Sequence, residues 1–241
     1  MDDKSSNDSY DVFISGELID LVVPNERAIY VDKWYAWFND PKVTAVLDHG
    51  IFPNSPQDQE IFLANLRTSK TRIALMIKPK DKPYVVGIAS LSNIDLVRRQ
   101  ADFAMVIGRP SPSFKSAFYG FEAKCLMTEH AFEALGIERI NTGQATTLKD
   151  WQRWQILLGY KIEGLQRKGF RKGYHTFDCL ITSCLLEDYL ALKELRGGRL
   201  WPGYKKMMEL IRFLPQENFP NTISKLILET VDAYYKRVRM I

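Results

Sequence analysis

Three histidines and three cysteines are the first residues to weigh for chemistry. His49 lies in the loop-like text DHGIFPNSPQDQ, beside Asp48. An imidazole there, with an ordinary pKa of about 6.5, can take up a proton near neutrality. His130 falls inside an apolar stripe and reads as a core histidine. His175, close to Asp178 in a hairpin, reads as structural or ligand-lining. Cys125, Cys179 and Cys184 have no metal-type spacing and apolar neighbours, so buried reduced thiols are expected and a metal site is not. The cluster RKGFRKGYH interleaves cations with aromatics, as nucleic-acid surfaces can. It reads first as a solvated hairpin turn, so no nucleic-acid partner is expected; if it has a function, the phosphates of a nucleotide-linked ligand suit it as well as RNA does. Trp151 and Trp154 share a helix face and read mainly as core.

At 241 residues the chain can bury one sizeable core, with room for a small appendage. Its 46% hydrophobic and 26% charged content is ordinary for a globular protein, and its net charge of +4 permits an anionic ligand without requiring one. No apolar run reaches the roughly 18 residues of a membrane span. The N-terminal text MDDKSSNDSYD is acidic and polar, unlike a signal or transit peptide. A cytoplasmic protein without membrane contact is therefore expected.

The elements that must position these residues follow from punctuation and periodicity. Residues 1–14 read as a flexible arm and Glu17–Val23 as a first strand. Asn25 caps a helix containing Trp34, Trp37 and Phe38, Asp40-Pro41 breaks it, and Lys42–Leu47 forms a further turn. Ser55 caps a helix with Pro56 at its first position, running through Ile61, Phe62 and Leu66. Strands are expected at Ile73–Ile77, Val85–Ser92 and Asp102–Ile107. Ala123, Leu126, Met127, His130, Ala131, Ala134 and Leu135 then form a stripe at helical spacing that Gly136 ends. A strand at Ile140–Gln144 and a helix at Lys149–Leu158 precede a hairpin, Tyr160–Leu165 with Tyr174–Leu180, turning through RKGFRKG. Leu185–Leu195 is helical, and Gly197-Gly198 with Pro202 marks a boundary. Helical patterns cover Tyr204–Leu214 and Asn221–Val238. Strands mixed with crossover helices argue for an α/β or α+β fold around one central sheet.

Three texts in this order carry a family resemblance. They are WFNDPKVTAVL, then GFEAKCLMTEHAFEALGIERI, then LGYKIEG with GYHTFDCLITSCLLEDY. Together they resemble the GNAT N-acetyltransferases, in particular the ribosomal-protein and antibiotic acetyltransferase branch. The loop HGIFPNSPQDQ resembles that of members encoded with nucleotide-sugar pathways. The resemblance implies a GNAT-like domain over residues 15–196, followed by a helical extension over 197–241. It implies a central mixed, mostly antiparallel sheet of about seven strands flanked by helices.

The resemblance also implies acetyl-CoA as acyl donor and a small-molecule amine as acceptor. The acyl arm would lie between the strands Asp102–Ile107 and Ile140–Gln144, with a backbone amide of Met105, Val106 or Ile107 facing the thioester carbonyl. The family's phosphate loop, Gln/Arg-x-x-Gly-x-Gly/Ala, falls on Ser113, Ser116 and Phe118, so neither glycine is present. Lys115 and the hydroxyls of Ser113 and Ser116 are expected to substitute, with Ala117, Tyr119 and Gly120 beside them. Leu148 stands where the family has Asn, and Trp151 is expected near the adenine or pantetheine. His49 is the first choice for the base, ahead of Asp48, Asp95 and Asp102. Tyr119 or Tyr160 would protonate the leaving thiolate. Phe52, Asn54 and His175 would contact the acceptor, expected to be a nucleotide-linked amino sugar. A protein amine or another small amine is the alternative. So is a non-catalytic scaffold in which Phe118 and Leu148 mark a decayed site. In that scaffold the C-terminal stripe of Leu210, Ile211, Leu214, Ile223, Leu226, Ile227, Val231 and Tyr234 would serve a partner. The stripe and the resemblance together make a homodimer an expectation.

Overall fold

The computed structural model describes residues 9–110, 113–214 and 219–238. One eight-stranded sheet runs in the order β1-β2-β3-β4-β5-β6-β8-β7. The strands are β1 (Val12–Ser15), β2 (Ile19–Val22), β3 (Ile73–Pro79), β4 (Gly87–Asp95), β5 (Gln100–Ile107), β6 (Arg139–Ala145), β7 (Lys161–Lys172) and β8 (His175–Leu185). Every pairing is antiparallel except β5 with β6. The expected mixed, mostly antiparallel sheet is therefore present, with one strand more than expected. That strand corrects the reading of residues 1–14 as a loose arm. Residues 1–8 lie outside the described residues, but Val12–Ser15 pairs with β2. As a largely exposed edge strand it has no alternating buried face to reveal it in sequence.

The helices are α1 (Glu26–Tyr30), α2 (Trp34–Trp37), α3 (Pro41–Thr44), α4 (Pro56–Thr68), α5 (Phe114–Glu133), α6 (Lys149–Trp154), α7 (Leu186–Leu195), α8 (Tyr204–Arg212) and α9 (Phe219–Val238). Asn25 does cap α1, its side chain accepting from the Ala28 amide. The single helix expected there is split, because Lys33 adopts a left-handed φ of 54° between α1 and α2. Ser55 and Asp58 form a reciprocal capping box on α4, with Pro56 at its first turn.

One hydrophobic core lies between α5 and the sheet, and a smaller one lies under α1, α2 and α4. The proposed C-terminal extension does not begin as a separate body. Leu200, Trp201 and Met207 are buried in the main core, and Trp201 Nε1 donates to Glu17 at 2.8 Å. Phe118 meets Trp154, Trp201 and Tyr204 there, with ring centroids 4.9–6.5 Å away. No helix of the described residues is long and apolar enough to cross a membrane.

Candidate active site

The site is built where two neighbouring strands part. β5 and β6 pair in parallel only at Gln100↔Arg139, Ala101↔Ile140 and Asp102↔Asn141. Beyond Asp102, β5 stays with β4 as far as Gly87↔Ile107, and β6 stays with β8 as far as Ala145↔Cys179. A wedge opens between them. The Gly108 amide donates toward β4, to the Val86 carbonyl at 2.9 Å. Backbone groups alternate along a strand, so the amides of Met105 and Ile107 face the wedge.

Asp102 closes the narrow end of the wedge. Its carboxylate accepts from Asn93 Nδ2 at 2.7 Å and from Asn141 Nδ2 at 3.2 Å. Asn141 in turn accepts from Arg139 Nε at 2.7 Å, and Arg139 pairs with Glu163. A carboxylate held by two amides, lining neither cavity described below, is a clasp between strands. Asp102, one of the bases expected from the sequence, is thus engaged with Asn93 and Asn141 and stands apart from both cavities.

A cavity of about 600 Å³ occupies the wedge. Met105 and Ile107 line it from β5, Ser113, Ser116, Ala117, Tyr119 and Gly120 from the start of α5, and Trp151 and Trp154 from α6. Gly120 matters by its lack of a side chain, since a Cβ there would lie 2.8 Å from Met105 Cε and 3.3 Å from Ile107 Cδ1. Of the expected cofactor contacts, Met105, Ile107, Ser113, Ser116, Ala117, Tyr119, Gly120 and Trp151 line this cavity. Val106 does not. As the intervening residue of β5 it faces the other side of the sheet. Phe118 is wholly buried in the aromatic cluster, because the segment taken for a loop is already the first turns of α5. Leu148 precedes α6 without lining the cavity, and Lys115 is drawn aside to Asp81 at 3.3 Å. Residues 111–112 of the expected loop lie outside the described residues. Lys82, Tyr84, Val86, Arg109, Pro110, Asp150 and Trp154 complete the lining. Except for Trp154, sequence reasoning missed them.

A second cavity, of about 360 Å³, lies on the opposite face of β4 and β5. Trp34, Phe38, His49, Asn54, Gln59 and Phe62 wall it on the helix side, and Arg72, Ser90 and Ser92 on the strand side. Met105 borders both cavities. His49 is solvent-accessible at the margin, its ring 4.8 Å from that of Phe38. Enough protein surrounds the imidazole for desolvation to pull its pKa below the usual histidine value, with Asp48 opposing and Lys172 assisting. Lys172, near the tip of the β7–β8 hairpin, donates to the carbonyls of Leu47 and His49. The basic segment read as a turn is thus mostly strand, and one of its lysines anchors the His49 loop.

Asn54 lines this cavity. Its backbone is held in both directions by Asn39 at 2.7 Å, and its Oδ1 accepts from Gln59 at 2.6 Å. Phe52 is 81% exposed in its loop, and His175 is exposed beside the hairpin tip, 6.4 Å from the Phe177 ring centroid; neither lines either of these two cavities. Tyr160 is 1% exposed beneath α5, where its hydroxyl meets Thr128 Oγ1 at 2.9 Å, so it cannot serve a thiolate in the wedge. Burial pushes its pKa up, away from any donor role. The Tyr119 hydroxyl does border the wedge. It donates to Asp81 at 3.1 Å, and burial followed by that carboxylate raises its pKa to about 12.

An acetyltransferase (GNAT) domain model matches residues 24–150. The chain belongs to the GNAT acetyltransferase family. Its chemistry is N-acetyl transfer, with acetyl-CoA as acyl donor. No curated protein matches the sequence significantly. Among solved structures it is similar to a GCN5-related N-acetyltransferase from Brucella melitensis, at 19% identity and TM-score 0.62, covering 85% of this chain and 94% of that one. It is similar to spermidine N-acetyltransferase from Vibrio cholerae, solved with CoA and spermine, at 14% identity and TM-score 0.63, covering 73% and 99%. The microcin C7 self-immunity acetyltransferase MccE, solved with acetyl-CoA and AMP, matches at 19% identity and TM-score 0.58, covering 71% and 96%. At these identities the likeness concerns the fold. The wedge itself fits the donor: it is roomy and aromatic-walled, and the cations Lys82 and Arg109 are among its lining residues.

Proposed function

We propose that this GNAT protein acetylates the primary amine of a small, oxygen-rich acceptor, a nucleotide-linked amino sugar, by direct attack on the thioester. The observation that carries this reading is the meeting of the two cavities at Met105. An acyl group in the wedge and an amine in the second cavity would approach each other across β5, which is the positioning such a transfer needs. Acetyl-CoA, when bound, supplies the acetyl group as a thioester. The Met105 or Ile107 amide donates to the carbonyl oxygen as negative charge builds there. His49, held deprotonated at neutral pH by its lowered pKa, takes the proton from the attacking amine directly or through one water.

Charge supports this acceptor class. The acceptor cavity has one lining carboxylate, Asp58, which already accepts from the amide and the hydroxyl of Ser55 at 2.8 and 2.6 Å. Arg72 also lines it, with no ion pair among the described residues. A polyamine would need free carboxylates, whereas an amino sugar joined to phosphates is compatible with Arg72 and with the basic hairpin. The ribosomal-protein and antibiotic branch, cytoplasmic residence, and a homodimer using the face of α9 that exposes Leu226 belong to the same proposal. The test is thiol release from acetyl-CoA with a panel of nucleotide-linked amino sugars, spermidine and an N-terminal peptide amine. Turnover of spermidine alone would refute the acceptor assignment.

A further inference from the structure

The family's glycine nest is missing from this chain, and the residues expected to replace it are already engaged. Lys115 pairs with Asp81, whose carboxylate also accepts from Tyr119. The Ser116 hydroxyl donates to the Ser113 carbonyl at 2.6 Å. Phe118 occupies the core. Two other cations border the wedge: Lys82 in the β3–β4 turn and Arg109 just after β5. Both are half-buried, and neither forms an ion pair among the described residues, although Asp81 lies close enough to Lys82 to feel its charge. Arg109 is held in place without being neutralised. Its guanidinium lies 4.7 Å from the centroid of the Tyr84 ring and donates to the backbone carbonyl of Asp32. The Asp32 carboxylate is occupied by Tyr10 and the Val85 amide, at 2.6 and 3.0 Å. The single acidic residue lining the wedge, Asp150, has Arg153 at 3.5 Å. The nearest counter-charge to Lys82 is Asp81, whose carboxylate already serves Lys115 and Tyr119, so both cations can offer charge to an anion in the wedge.

We propose that Lys82 and Arg109 form a side-chain cradle for the phosphoryl groups of the acyl donor, taking over what backbone amides do at the family's glycine loop. This rests on the reading of the protein as an acetyl-CoA-dependent enzyme. A cradle of side chains differs from an amide nest in being removable by substitution and more sensitive to salt.

The experiment is calorimetric titration of CoA, 3′-dephospho-CoA and pantetheine into the full chain and into Lys82→Gln and Arg109→Gln, with a thermal melt of each. Each substitution should weaken CoA binding about tenfold or more, as expected for loss of one charge-assisted contact, and leave pantetheine binding unchanged. An equal loss with 3′-dephospho-CoA places the cradle on the pyrophosphate; a loss seen with CoA alone places it on the 3′-phosphate. Arg109 also braces the Asp32 carbonyl, so Lys82→Gln, at a turn, decides the matter if Arg109→Gln melts early. Wild-type CoA affinity in a folded Lys82→Gln would overturn the cradle. Failure of the wild-type chain to bind CoA at all would instead overturn the enzymatic reading on which it rests.

Discussion

Replacing Lys124 by methionine is expected to stabilise the protein at neutral pH, and to do so less as pH rises. Lys124 lies in the middle of α5, wholly buried. Its Nζ donates to Gln155 Oε1 at 2.7 Å and sits 3.5 Å from the centroid of the Tyr160 ring, with no ion pair among the described residues. Burial pulls its pKa from 10.5 down to about 7. Between those values the unfolded chain holds a proton that the folded chain has released, so wild-type stability must rise with pH across that window. At roughly 1.4 kcal/mol per unit, this lysine costs about 4 kcal/mol at pH 7 and about 2 kcal/mol at pH 9. Methionine keeps the length of the chain but takes from Gln155 Oε1 its 2.7 Å donor, leaving only the long contact from Thr182 Oγ1 at 3.5 Å, a loss of about 1–3 kcal/mol that does not depend on pH. The variant should therefore be about 1–3 kcal/mol more stable at pH 7. That advantage should shrink by about 2 kcal/mol by pH 9. Urea unfolding of both proteins at half-unit pH steps measures the difference directly. Stability curves that run parallel from pH 7 to pH 9 would refute the argument, because they would mean that Lys124 keeps its proton in the fold.

Three further outcomes are expected. His49→Gln should lower kcat by about 10²–10⁴ while leaving CoA affinity intact; in the wild type, activity should fall as the imidazole protonates, at a pH below the usual histidine value. Gly120→Ala puts a methyl against the flexible end of Met105, which can shift, and alanine favours the helix, so melting should move by no more than about 1 kcal/mol, while calorimetry should show weaker donor binding as the displaced Met105 narrows the wedge. Tyr160→Phe should lose about 1–2 kcal/mol with the Thr128 hydrogen bond and keep its kcat, since that hydroxyl never reaches the wedge; a large fall in kcat with normal melting would return Tyr160 to the catalytic set.

Much of the fold was legible because local signals agreed with tertiary demand. Ser55 with Pro56, the long apolar stripe of α5, and Gly136 with its left-handed φ of 64° each have one plausible structural use. The hairpin was underestimated for a physical reason. β7 and β8 extend past their sheet neighbour β6, so the residues from Gln166 to Gly169 are exposed on both faces and show no alternation. The start of α5 misled in the opposite sense. PSPSFKSAFYG has the small and polar residues of a loop, yet Phe118 is drawn into an aromatic cluster with Trp154, Trp201 and Tyr204, and this favours continued helix.

Apart from the edge strand β1 and the break between α1 and α2, the sequence by itself determined the order of strands and helices, the capped helix starts and the family, since each rests on neighbours within a few residues or on text in a fixed order. It also singled out His49, the one histidine in a loop rather than in a helix or the hairpin. Only the tertiary structure decided which side chains share a cavity. Lys82 and Arg109 are 27 positions apart and border one wedge. Lys172 reaches across from a hairpin to hold His49, 123 residues away. Asp102, a reasonable base by type, and Tyr160, a reasonable acid, are engaged in a strand clasp and in the core. Residue type and spacing state what a group can do, but burial and partners are set by chain segments far apart in sequence, and these decide what it is free to do.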